Sequence, residues 1–120
     1  MGEKITVVMP AHNAQKYIKD AIESILNQTF KNFELIIIND FSTDKTLTII
    51  ESISKKDFRI KIVNNTNRLN IARTLNKGIS LAKSDIIARM DADDIAFPRR
   101  LERQYKTING SKNISVLVPI

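Results

Sequence analysis

Residues 33–39, FELIIIN, form a run too continuously apolar for a strand with one wet face. Alternate side chains of a strand point to opposite sides, so a run that is apolar at both parities must be covered on both faces. Similar runs recur at 4–9 (KITVVM), where Pro10 is expected to stop the strand, and at 85–90 (DIIARM). Residues 59–63 (RIKIV) are less hydrophobic and belong nearer a sheet edge; residues 115–118 (SVLV) form a last strand with Pro119 directly after it. Between the runs the period changes to that of a helix. Ile18, Ala21, Ile22, Ile25 and Leu26 share one face of residues 17–27, and Leu47, Ile50 and Ile53 do so in STDKTLTIIESISKK. Ser42 or Thr43 can cap that second helix, with Asp44 in its first turn. Residues 71–82 place Ile71, Leu75, Ile79 and Ala82 together; Pro98 suits the first turn of a fourth helix with inner face Leu101, Tyr105 and Ile108. Strand and helix alternate with short connections, which predicts an α/β fold: a mostly parallel sheet with helices on both faces.

The 120 residues fit one domain, with no repeat and no linker. A fresh strand begins just before the end, so the sequence reads as the N-terminal part of a longer protein. With 42% hydrophobic and 27% charged residues, disorder is excluded. There is no cysteine, which removes disulfides and thiolate metal sites. No apolar stretch reaches a membrane span and no signal peptide opens the chain, so a cytoplasmic protein is expected. The net charge of +6 suits an anionic ligand such as a nucleoside diphosphate, or peripheral contact with the acidic inner face of a membrane. Nucleic acid is disfavoured, because no helix carries a continuous basic stripe and aromatics are only 6%. Sequons at Asn27, Asn64, Asn109 and Asn113 read as accidents of composition.

Ligands of open α/β sheets bind beyond the carboxyl ends of the strands. Three polar clusters fall there: PAHN (10–13) after the first strand, NDFSTD (39–44) after the second, and DADD (91–94) after the fourth. The first turn contains no glycine, which excludes a dinucleotide fingerprint and a P-loop. Pro10, Ala11, His12 and Asn13 instead offer backbone groups and a flat ring. Asp40 can cap the next helix or accept hydrogen bonds from a ribose or a base N–H. DADDIAFPRRLE fails as an EF-hand, because Ile95 and Ala96 stand at its fifth and sixth positions. Two or three of Asp91, Asp93 and Asp94 would instead hold Mn²⁺ or Mg²⁺ through hard oxygen ligands, leaving places for diphosphate oxygens.

Taken in order, ITVVMPAHNAQKYIKDAIESILNQTFKNFELIIINDFSTDKT and ARTLNKGISLAKSDIIARMDADDIAFPRRLERQ resemble the N-terminal half of a family 2 glycosyltransferase with the GT-A fold. The resemblance implies a Rossmann-like, nucleotide-sugar-binding part of a catalytic domain over residues 1–120, truncated at its C-terminus. It implies that Pro10 to Asn13 lie near base and ribose, that Asp40 binds the base (typically uracil), and that Asp93 lies near ribose or metal. Asp91, Asp93 and Asp94 match the D-x-D-D stretch that ligates Mn²⁺ or Mg²⁺, with Arg73 as a further diphosphate contact. The activity implied is inverting transfer from a UDP-sugar to a glycan or lipid-linked acceptor in polysaccharide synthesis, with the general base beyond residue 120. Asn39, Phe41 and Asn70 depart from the family pattern; Phe41 and Asn70 stand where glycine is common, and Asn70 is expected to tolerate a left-handed backbone. Two other readings compete. A haloacid-dehalogenase-type phosphatase would carry D-x-D after the first strand, and a non-catalytic nucleotide-sugar-binding domain would show the same binding residues.

Overall fold

The computed structural model describes residues 5–109 and 116–119, with side chains through residue 107. Its elements are β1 (Ile5–Ala11), α1 (Ile18–Leu26), β2 (Phe33–Asn39), α2 (Thr46–Ser54), β3 (Ile60–Asn64), α3 (Ile71–Leu81), β4 (Ile86–Arg89), α4 (Arg100–Asn109) and β5 (Val116–Pro119). The strands form one sheet in the order β3-β2-β1-β4-β5. Every pairing is parallel. The Rossmann-like α/β fold expected from the alternation is the fold found, with β3 at an edge as its weaker hydrophobicity required.

Strand alternation divides the core in two. Ile5, Val7, Met9 and Ala11 of β1 join Leu35 and Ile37 of β2 on the face covered by Ile18, Ala21, Ile22 and Ile25 of α1, Ile50 of α2 and Leu101 of α4. Each fully buried Ile on that face contributes about 2 kcal/mol. Val8, Ile36 and Ile38 point the other way, against Leu75 of α3. That second layer is thin because the helix comes close. A Cβ on Gly78 would stand 2.5 Å from Val8 Cγ1 and 2.7 Å from Ile38 Cδ1, so only glycine fits.

Four local expectations are corrected. Pro10 does not end β1, which runs on to Ala11. Ala11 O accepts from Asp40 N–H on the β2 side, so Pro10 faces β4, where the ladder stops at Val8–Arg89 and Met90 N–H donates to Val8 O. Its missing N–H has nothing to satisfy there. Neither Ser42 nor Thr43 caps α2; Asp44 accepts the Thr46 N–H at 2.9 Å, and the helix starts later. In α3 the buried positions are Thr74, Leu75 and Gly78, whereas Ile71 is exposed. Pro98 precedes α4, in a turn closed by Arg100 N–H on Phe97 O. Tyr105 packs on Phe30 with ring centroids 4.8 Å apart; the expected roles of Ile108 and Ser115 lie outside the described residues.

Candidate functional site

The chain moves outward from β1 to β2 to β3, then crosses back to begin β4 on the other side of β1. Strand order therefore reverses between β1 and β4, and it is beyond the carboxyl ends at such a switch point that open α/β sheets bind ligands. PAHN leaves β1 at this point, NDFSTD leaves β2 beside it, and DADD leaves β4 one hydrogen bond after Met90 is tied to Val8. The sheet thus brings the three clusters to one rim.

Asp40 is the best-held group on that rim. It is 5% exposed, and its Oδ1 accepts from Leu69 N–H at 2.7 Å and from Asn65 Nδ2 at 3.0 Å. Its Oδ2 accepts from Arg68 Nε at 3.1 Å. Burial alone would push its carboxyl up; the bonds from Leu69, Asn65 and Arg68 outweigh this and hold it below its ordinary 3.8. Lys77 of α3 supports Asn65 from behind, Nζ to Oδ1 at 2.8 Å. Asn39, one residue earlier, pins the end of β3 through Asn64 Oδ1 at 2.7 Å.

The PAHN turn is laced to the start of α2. Asn13 N–H donates to Ser42 Oγ, Asn13 Oδ1 accepts from Thr43 N–H at 2.8 Å, and Ala14 N–H donates to Thr46 Oγ1 at 2.8 Å. His12 Nδ1 lies 2.7 Å from Asp40 O, and its Nε2 lies 2.9 Å from an Arg68 guanidinium nitrogen. Two residues here take positive φ, Asn13 at 47° and Phe41 at 56°. Asparagine tolerates this; a bulky aromatic is strained by it. Phe41 also stays 48% exposed. Asn70, expected to tolerate a left-handed backbone, does not use one. It is extended, and its side chain caps α3 by accepting from Arg73 N–H at 2.8 Å.

DADD is a tight turn, with Asp94 N–H on Asp91 O at 3.1 Å, anchored by the buried Ala92. One carboxylate oxygen from each of Asp91, Asp93 and Asp94 falls within 4.8 Å of the others. Asp91 has a cation, Arg89 Nη2 at 3.0 Å. Asp93 and Asp94 are exposed, and among the described residues neither carboxylate has a hydrogen-bond or ion-pair partner. Three hard oxygen donors with one neighbouring cation fit a divalent ion by charge and spacing.

Arg73 sits in the first turn of α3, exposed, and nothing ties its side chain to the rim. Arg68, Asn65 and Leu69 were missed in the sequence, although NNTNRLN follows a strand whose carboxyl end must share this rim. A groove of about 940 Å³ along Phe97, Arg100 and Arg103 excludes the rim residues.

The family model for Glycosyl transferase family 2 matches residues 6–120. The chain belongs to that family. An uncharacterized glycosyltransferase of Haemophilus influenzae is 43% identical over 113 residues, covering 94% of this chain and 35% of the relative. The O-antigen biosynthesis glycosyltransferase WbnJ of Escherichia coli is 41% identical over 105 residues, covering 86% of this chain and 41% of its own. Thus the chain spans between a third and a half of these relatives. S. aureus TarS 1–349, in complex with UDP-GlcNAc, superposes with a TM-score of 0.82 at 25% identity, over 89% of this chain and 31% of TarS. The mannosyltransferase PcManGT from Pyrobaculum calidifontis, in complex with GDP-Man and Mn²⁺, gives 0.73 at 25% identity, over 80% of this chain and 29% of its own. The sheet is that of the GT-A glycosyltransferases, as the sequence resemblance implied. Among the described residues no helix is long and apolar enough to cross a membrane.

Proposed function

We propose that this chain is the donor-binding part of an inverting family 2 glycosyltransferase that takes a nucleoside-diphosphate sugar, a UDP-sugar first among them, for glycan synthesis. The observation that supports this reading is that Asp40 with His12, and the Asp91–Asp93–Asp94 cluster, follow the carboxyl ends of neighbouring strands at the switch point of the sheet. Asp40 keeps one acceptor direction on Oδ2, since Oδ1 already holds two donors; a base N–H would take it. The Pro10–Asn13 turn would lie along base and ribose. Asp91, Asp93 and Asp94 would hold Mn²⁺ or Mg²⁺ beside the diphosphate. When bound, such an ion stabilises the charge that grows on the departing diphosphate. The residues of this chain orient the donor and shield its base; the acceptor and the group that takes its proton belong to the rest of the enzyme. That two similar structures hold UDP-GlcNAc, and GDP-Man with Mn²⁺, supports the donor class.

The test is calorimetric titration of UDP into the full-length protein with and without Mn²⁺, repeated with D93A/D94A. Metal-dependent binding in the parent, lost in the variant, is expected. Equal UDP affinity with and without the ion would defeat the reading.

A further inference from the structure

Among the described residues, Arg68 is the one cation that touches both the Asp40 carboxylate and the His12 ring. These contacts determine a protonation state. Asp40 O, 2.7 Å from His12 Nδ1, can only accept, so Nδ1 carries the proton. A guanidinium can only donate, so Nε2, 2.9 Å from Arg68, must be bare. Asn13 Nδ2, 3.3 Å from the same Nε2, is a second donor aimed at it. Only the neutral Nδ1–H imidazole satisfies the set. A protonated ring would face Arg68 with a second positive charge and no lone pair.

The other charged groups nearby are already engaged. Asp40 is bonded to Arg68, Lys77 of α3 reaches the network only through Asn65, and Asp44 is held by Gln15 and Thr46 at the head of α2. Nothing here replaces Arg68. Its side chain is 58% exposed, and ion pairs with so wet a partner add little to stability. What the planar fork supplies is geometry: Nε fixes Asp40 Oδ2 while a terminal nitrogen fixes the imidazole, which a lysine cannot do at once.

We propose that Arg68 is a positioning residue for nucleotide binding, clamping Asp40 and the His12 ring into one preformed edge, and that the clamp closes only while His12 is neutral. This rests on the donor site set out above. Holding both groups before the ligand arrives removes the ordering cost from binding, so the clamp acts on donor affinity and KM more than on kcat.

The experiment uses the full-length protein. UDP is titrated in the presence of Mn²⁺ into the wild type, R68A, R68K and H12Q, at about pH 8 and about pH 5.5. R68A is expected to bind UDP about tenfold more weakly at the higher pH. R68K should fall between, regaining one contact. The diphosphate itself takes up a proton in this range, so the wild type is compared with H12Q: acidification should weaken the wild type more than H12Q. R68A with wild-type affinity, or equal acid losses in wild type and H12Q, overturns the proposal. ¹⁵N imidazole spectra, with the His12 signal assigned by its loss in H12Q, give a readout without nucleotide. They should show protonated Nδ1 and a hydrogen-bonded Nε2 whose resonance moves in R68A. An unmoved Nε2, or a proton on it, sinks the clamp even if UDP binds. If the wild type binds no UDP, the donor reading fails, and the Nε2 shift alone decides the clamp.

Discussion

Two carboxylate sites share one rim and are held in opposite ways. Asp40 is buried under donors from Leu69, Asn65 and Arg68, so its charge is neutralised by the protein itself. Asp91, Asp93 and Asp94 have carboxylate oxygens within 4.8 Å of one another on a turn where, among the described residues, Arg89 is the one cation ion-paired to them. The first is finished on folding and contributes to stability. The second is left charged and costs stability through repulsion, which a bound divalent cation would relieve. The proposed donor site would use this contrast, with a preformed edge for a neutral base and an open one for a metal diphosphate.

The contrast is broken most strongly at the open end. D93A/D94A should lower Mn²⁺-dependent UDP affinity by at least about a hundredfold, since even outer partners of metal ligands commonly cost ten- to a hundredfold. The same change should leave thermal stability equal or slightly raised, because like charges are removed. Calorimetry and a melting curve read both effects on one sample. The reverse result, a loss of melting temperature, would mean that the turn is structural.

At the held end, D40A should destabilise the fold by about 2 kcal/mol, the penalty of leaving buried donors such as Leu69 N–H and Asn65 Nδ2 unpaired. Denaturant titration checks this. Opposite signs of stability change for D40A and D93A/D94A are the sharpest form of the comparison.

Phe41, between the held carboxylate and the helix that follows, stores strain that a glycine would release. F41G should stabilise by about 1 kcal/mol, the left-handed penalty less the entropy of glycine. A lower melting point would show that the ring packs usefully despite its exposure.

The smallest effect is with pH. Burial works against ionised Asp40 and Glu34, yet hydrogen bonds hold both below their ordinary values of 3.8 and 4.5. For Glu34 the opposing donors are Thr6 Oγ1, the Lys83 N–H and Lys61. A depressed carboxylate gives stability that is full above the unfolded value and fades as pH falls through the folded one. Stability should therefore decline below about pH 4.5, and D40N should flatten that limb in part. An acid limb identical in D40N and wild type would remove Asp40 as a contributor.

Much of this was legible in the residues. FELIIIN became β2 with the bounds read from its apolar run, and the α1 face of Ile18, Ala21, Ile22 and Ile25 is the buried one. The three polar clusters met as expected because all strands of a parallel sheet end on the same side. The misses are equally physical. NNTNRLN looked like a loop of polar residues, and nothing local marks Arg68 as reaching back to residues 12 and 40. The inner face of α3 was misjudged because Gly78 has no side chain to signal burial, yet it makes the closest approach to the sheet.

Periodicity and composition by themselves determined the layers, the order of elements and the residue types available at each strand end. They could do so because burial of apolar faces is a local, repeating demand. Tertiary structure alone decided that β4 returns beside β1, so that the strand ends bearing Asp40 and the aspartate turn flank that of β1, and that Arg68 closes on His12. Those outcomes depend on strand order and on side chains meeting across 28 and 56 positions of chain. No local pattern encodes such distances; only the packed sheet does.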